Sequence, residues 1–165
     1  MMEQNITKER LPFETERQDL ANVAREMFNR KMTNVAGGNI SLRVTPDETF
    51  AYDGQEYKAG HDYLLMTPTF MSEAWFAKIS LSQILVVDLE TGEKLAGEGR
   101  LTREINMHEG AYRADPEINV VYHSHSQNCM FWATLGVDMP NLTEVTSVNV
   151  PLGKIKCLPY REACS

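Results

Sequence analysis

Cysteine is scarce: Cys129, Cys157 and Cys164 are the only three in 165 residues, and no CxxC spacing joins them. An odd count without paired spacing argues for neither a disulfide framework nor a thiolate zinc cage, so the three read as reduced thiols. Long apolar runs are missing as well. Nothing approaches the ~18 apolar residues in a row that cross a bilayer, and the first ten residues are polar with both charge signs, unlike a signal or transit peptide. The chain reads as cytoplasmic, without a membrane partner. Positive charge is in deficit, with 16 Lys+Arg against 23 Asp+Glu and a net charge of −7. That balance excludes broad attraction to nucleic acid, although a local basic pocket remains open. Repeats, low-complexity tracts and Gly/Ser linkers are absent too. With 42% apolar and 24% charged residues the composition is that of a soluble globular chain. One domain over residues 15–165 is expected, after a polar segment at 1–14.

Hydrophobic periodicity supplies the elements. Leu20, Val23, Ala24, Met27 and Phe28 recur at helical spacing behind Thr15-Glu16-Arg17-Gln18, a capping-box pattern, and predict a helix from Thr15 to Lys31. Gly37-Gly38 then opens a turn into an alternating strand, Ile40 to Val44. Further strands are expected at Tyr63–Met66, Ile84–Leu89, Ile118–His123, Val145–Val150 and Lys154–Leu158. Helices are expected after Ser72, from Arg103 to Ala114 with Thr102 as its cap, and from Ser126 to Leu135 with Gly136 beyond its end. Strands and helices alternate without a regular βαβ beat. The fold class is therefore α/β, a mixed, largely antiparallel sheet flanked by helices.

Four places carry chemistry. His123 and His125 flank Ser124 where a strand gives way to a helix, and residues two apart in extended chain share a face. Two readings stand: a pair of ligands for one metal ion, or two half-buried imidazoles bonded to backbone. Glu104 lies one helical turn before His108, so the two either form a surface pair or line a site together. Gly37-Gly38-Asn39 with Ser41, Thr67-Pro68-Thr69, and Thr102-Arg103 each offer hydroxyls, N–H groups or a guanidinium to an anion.

The order of these segments carries more than any one of them. NVAGGNISLR, a strand ending LLMTPT, ILVVDLETG, TRE with a histidine four residues after the Glu, and VVYHSHS, in that succession, resemble the class II aldolase/adducin family. The resemblance implies a three-layer α/β fold. It also implies a metal-dependent lyase that cleaves or forms a carbon–carbon bond in a phosphorylated or acidic sugar derivative through a metal-stabilised enediolate. Decarboxylases of 3-oxo acid phosphates, epimerases and dehydratases are alternatives within the family, and a non-catalytic adducin-like oligomerisation module is the alternative outside enzymes. Adducin heads lack the histidine pair that is present here. By the same resemblance, His123 and His125 hold a divalent metal, zinc ahead of Mn2+ or Fe2+. Glu104 shuttles a proton, a task for which burial should raise its pKa. Gly38, Asn39, Thr67 and Thr102 cradle a phosphate, and the assembly is a homotetramer.

Three departures from the family pattern sharpen the expectation. Leu101-Thr102-Arg103-Glu104 stands where the sugar-phosphate aldolases carry P-S-S-E, and Thr67-Pro68-Thr69-Phe70 where they carry T-P-S-G. Arg103 is closer to the T-K-E pattern of the decarboxylating relatives, since a guanidinium can grip a carboxylate or a phosphate with two hydrogen bonds. Glu144 falls near the position of the tyrosine proton donor of fuculose-phosphate aldolase. The family's third metal-binding histidine lies downstream of the pair, and no histidine follows His125, so the domain is expected to be incomplete at its C-terminus.

Overall fold

Leu64-Leu65 and Leu85-Val86-Val87 are unbroken apolar runs, which is how a strand reads when both of its faces are covered. The computed structural model, which describes residues 10–34, 37–69, 77–144, 148 and 154–160, places both runs in the middle of one sheet. Nine strands occur among the described residues: β1 (Asn39–Val44), β2 (Phe50–Tyr52), β3 (Gln55–Tyr57), β4 (Tyr63–Met66), β5 (Leu85–Asp88), β6 (Lys94–Ala96), β7 (Val120–His123), β8 (Met139–Pro140) and β9 (Lys154–Ile155). The helices are α1 (Glu14–Asn29), α2 (Ile105–Ala114) and α3 (Gln127–Leu135). Five strands form a wholly antiparallel sheet in the order β6-β5-β4-β1-β7, while β2-β3 and β8-β9 are separate two-stranded pairs.

Side-chain parity divides the core. Tyr63, Leu65, Ile84, Val86 and Ile40 join Leu20, Ala24 and Met27 of α1 on one side of the sheet. Leu64, Leu85 and Val87 meet Tyr112 of α2 on the other, with Ile105 and Val121 packed against them. The result is helix, sheet, helix: the mixed α/β, three-layer arrangement read from the sequence. Arg17 belongs to the buried face of α1 and is almost wholly enclosed. Its Nη2 donates to the carbonyls of Ile84 (2.7 Å) and Ser82 (3.2 Å), tying α1 to the 3-10 turn Leu81–Gln83. Burial lowers the pKa of this guanidinium and pushes the neighbouring Tyr57 phenol up to about 12.

Several boundaries differ from expectation, each for a local reason. α1 starts at Glu14 behind Phe13, whose φ is 55°, and no side chain caps it, so the Thr15–Gln18 capping box is not formed. α2 starts at Ile105 rather than Arg103: Arg103 and Glu104 form a turn in which the Ile105 N–H reaches the Thr102 carbonyl at 3.3 Å, and the Thr102 hydroxyl accepts the Glu104 N–H at 3.2 Å at the head of that turn. The β2–β3 hairpin, with Asp53 and Gly54 at φ 50° and 77°, was not expected, although Asp-Gly between two short strands is the standard signal for that tight turn. β6 and β8 were also unforeseen. The helix expected after Ser72 lies outside the described residues. Of the strand expected over Val145–Val150 only Val148 is described, and it is helical.

Candidate active site

β1 alternates its side chains: Ile40 and Leu42 pack toward α1, while Asn39, Ser41 and Arg43 face α2. His123 pairs with Asn39 across the β1–β7 ladder and so shares its face. Here a cluster forms. Asn39 Nδ2 donates to Glu104 Oε2 at 2.5 Å, and His123 Nδ1 lies 2.7 Å from the same oxygen. With Nδ1–H spent on the carboxylate, His123 presents a bare Nε2, and His125 Nε2 faces it at 3.1 Å. Both imidazoles are half-buried.

His125 is seated by the glycine turn. A Cβ at Gly37 would stand 2.1 Å from His125 Nδ1, so only glycine lets the ring lie where it does. Gly38, at φ 82°, passes against the His123 carbonyl and the Thr33 hydroxyl. A cleft of about 790 Å³ opens beside His125, lined also by Phe28, Lys31, Thr33, Gln127 and Met130. A larger cavity of about 920 Å³, between α3 and β9, holds none of the four histidines. Geometry, not volume, therefore marks the site.

The family profile described as Class II Aldolase and Adducin N-terminal domain matches residues 18–164. The chain belongs to the class II aldolase/adducin family. Relatives of this aldolase/adducin chain include the 5-deoxy-D-ribulose 1-phosphate aldolase of Bacillus thuringiensis serovar kurstaki, 25% identical over 145 residues (88% of this chain, 59% of that protein). The L-fuculose phosphate aldolase of Methanococcus maripaludis is 30% identical over 113 residues (68% of this chain, 51% of that protein). The chain thus spans about half to three-fifths of the length of these relatives. Among solved structures, L-fuculose-1-phosphate aldolase from Thermus thermophilus superposes with a TM-score of 0.63 at 16% identity, covering 92% of this chain and 66% of that one. At that identity the likeness concerns the fold.

In this aldolase/adducin chain the residues singled out in the sequence separate into two groups. Glu104, Asn39, Thr102, His123 and His125 are linked by direct contacts, the Thr102 hydroxyl taking Asn39 Nδ2 at 3.4 Å. Thr67 is fully buried and its hydroxyl accepts the Ile40 N–H at 3.1 Å, one residue along β1. Asn39 and Thr102 are also buried, so their side chains, with that of Thr67, are engaged inside the protein rather than free at a surface. Arg103 is exposed in the turn before α2 and makes no hydrogen bond or ion pair among the described residues.

The electrostatics depart from expectation at one point. Burial by itself would raise the Glu104 pKa, but the Asn39 hydrogen bond and the adjacent His123 and His125 rings outweigh it and hold the carboxyl below its usual value. Glu104 is thus kept as a carboxylate acceptor, not as a raised-pKa acid. His125 is lowered, mainly by burial and then by His123, which favours the neutral ring that a metal ligand must be. Ser41, expected to offer its hydroxyl to an anion, instead meets the hydroxyl of Tyr112 below Asn39, and no role was expected of Tyr112. Their signal was available in the register: Ser41 two residues after Asn39, Tyr112 four after His108.

Proposed function

We propose that this chain carries the metal- and substrate-binding face of a lyase that breaks or forms a carbon–carbon bond in a phosphorylated or acidic sugar derivative. The observation that carries the reading is the His123–His125 pair. Two nitrogens bound at 2.0–2.1 Å to one tetrahedral zinc lie roughly 3.3 Å apart, and these stand 3.1 Å apart, within hydrogen-bond reach of each other, where a cation can replace the shared hydrogen. A carboxylate on the far nitrogen of a ligating histidine is the usual means of fixing its tautomer, and Glu104 is so placed on His123. Among the described residues no group of three or more His, Cys, Asp or Glu that could hold a metal ion comes together.

Class II aldolases depend on a divalent metal, usually zinc. Bound here, the ion would supply positive charge beside the substrate oxygens on which negative charge develops as the bond breaks. The remaining steps fall to the chain. Glu104, ionised and at the rim of the pair, takes and returns the substrate proton. Gly37 makes room for the His125 ring and Gly38 for the His123 carbonyl, with Asn39, Thr67 and Thr102 holding the turn in shape. Arg103 grips the anionic end. Two of the relatives named above are phosphate-sugar aldolases by description, which supports a phosphorylated substrate. The free guanidinium next to Glu104 favours, as a second reading, a carboxylated substrate and decarboxylation.

Metal analysis of purified protein tests the centre of the proposal. About one zinc, manganese or iron per chain is expected, lost in His123→Ala; metal-free protein of unchanged stability would instead make the chain a non-catalytic adducin-like module. Substitution Arg103→Ser is expected to weaken binding of a ketose 1-phosphate about 10- to 150-fold, the equivalent of ~1.5–3 kcal/mol for a charge-assisted contact, with metal affinity unchanged. Unaltered phosphate binding would return Arg103 to the role of a solvated turn residue.

We also propose a homotetramer. Val120 and Tyr122 on β7 and Phe131 and Leu135 on α3 are exposed apolar side chains on neighbouring stretches of the chain, a surface that a second copy can cover. Light scattering at micromolar concentration should report a tetramer, and a monomer would overturn this part.

A further inference from the structure

A strand and a helix meet in register beneath Glu104. Residues four apart on a helix are separated by about 6 Å of rise, and residues two apart on a strand by about 6.8 Å, so the two spacings nearly match. Glu104, His108 and Tyr112 descend along the start and length of α2 at the first spacing; Asn39, Ser41 and Arg43 descend β1 at the second. They interleave. Asn39 contacts both Glu104 and His108, Ser41 contacts both His108 (Oγ to Nδ1, 2.7 Å) and Tyr112 (2.8 Å), and Arg43 lies 5.0 Å over the Tyr112 ring while donating to its carbonyl at 2.9 Å. Asn39, Ser41, His108 and Tyr112 are each at least nine-tenths buried.

The chemistry of the groups fixes the direction of every bond. A carboxylate only accepts, so Asn39 turns Nδ2 to Glu104 and is left with Oδ1 toward His108. His108 Nε2 must then carry the hydrogen. Its Nδ1 is consequently bare and accepts from Ser41, which accepts from the Tyr112 hydroxyl. All donors point one way, from Tyr112 through the core to the Glu104 carboxylate. Reversing any member would leave two donors or two acceptors facing each other in a buried seam, at the cost of an unsatisfied polar group.

We propose that His108, backed by Ser41 and Tyr112, is a positioning residue for Glu104: locked as the Nε2–H tautomer, it sets the Asn39 amide, and through it the carboxylate that meets His123. The arrangement rests on the role proposed above for Glu104. Burial drives the His108 pKa down to about 4, so the ring stays neutral at pH 7, as a residue that donates from one nitrogen and accepts at the other must be.

Long-range proton–nitrogen NMR on the full chain at pH 7 reads the tautomers directly, since there are four histidines to assign. His108 should appear as the Nε2–H form and His123 as the Nδ1–H form. In His108→Leu the Asn39 amide loses its anchor, and the His123 Nδ1–H should shift and exchange with solvent about ten times faster. Cleavage of a ketose 1-phosphate should fall about 10-fold in kcat with KM within about 2-fold, as for a displaced but intact catalytic group. His108→Gln, whose amide nitrogen can donate where Nε2–H did, should restore both readouts. Ser41→Ala, a smaller change to the fold, should release His108 from a single tautomer and move the His123 signal in the same direction. An unchanged His123 resonance in His108→Leu or, should that variant not fold, in Ser41→Ala reduces His108 to a packing residue and overturns the proposal; so does a His108→Gln protein no better than His108→Leu. A parent chain without lyase activity would count against the proposed reaction, while the NMR comparison decides the positioning role by itself.

Discussion

Replacing Glu104 with glutamine is expected to lower turnover by about 10²-fold or more while leaving metal content and melting temperature near those of the parent. The separation follows from what converges on one oxygen. Oε2 receives Asn39 Nδ2 and His123 Nδ1–H, both donors, and a glutamine can place its carbonyl oxygen there without stranding either. Asn39 stays oriented, His123 keeps its tautomer, and Nε2 remains bare toward His125. What is lost is a group able to take a proton. Kinetics with a ketose phosphate and elemental analysis on the same sample check this; equal loss of zinc and activity would make Glu104 a ligand instead.

The second large effect lies on a residue with no side chain. Gly37→Ala is expected to reduce divalent-metal affinity by more than the 10–100-fold that follows loss of an outer partner, because it withdraws a ligand outright. The added Cβ would come within 2.1 Å of Nδ1, 2.5 Å of Cγ and 2.7 Å of Cε1 of His125. An imidazole can swing aside where backbone cannot, and Gly37 is not among the residues with positive φ, so alanine meets no strain of its own. The fold is therefore retained and the His125 nitrogen leaves its place opposite His123. Zinc titration of the variant by calorimetry, with circular dichroism as the control on folding, measures both halves. Parent-like affinity would show that His125 does not bind metal from this position.

How much of this was legible depended on distance along the chain. The runs Leu64-Leu65 and Leu85-Val86-Val87 announced strands, and the α1 stripe of Leu20, Ala24 and Met27 announced an amphipathic helix, because each signal is complete within one element. His123 and His125 were recognisable from their spacing and Glu104 from its place in an ordered set of motifs. Helix starts shifted where a turn intervened: Thr102 accepts the Glu104 N–H as an N-cap would, yet α2 begins only at Ile105, and the same oxygen also receives Asn39 from 63 residues away. The same limit hid the fate of Asn39 and Thr67, which look like anion contacts in sequence and prove to be enclosed. Which residues of β1 face α2 depends on a register set by the whole sheet, and one residue of slip would have turned Ile40 toward Glu104 in place of Asn39.

The strand that carries His123 has one neighbour among the described residues. β7 is the last strand of the sheet, paired to β1 alone, with Val120 and Tyr122 exposed on its outer face. Elements held on one side open locally at a smaller free-energy cost than those buried between two others. Opening the end of β7 parts His123 from Asn39 and from Glu104 in a single event, so donor, tautomer and acceptor disappear together. A cation shared by His123 and His125, as proposed above, would bind only the closed strand and would therefore add its binding free energy to the resistance of that one strand against opening. Occupancy of the site would then be written first in the exchange rates of the Val120 to His123 amides, well before it moves the unfolding of the molecule as a whole.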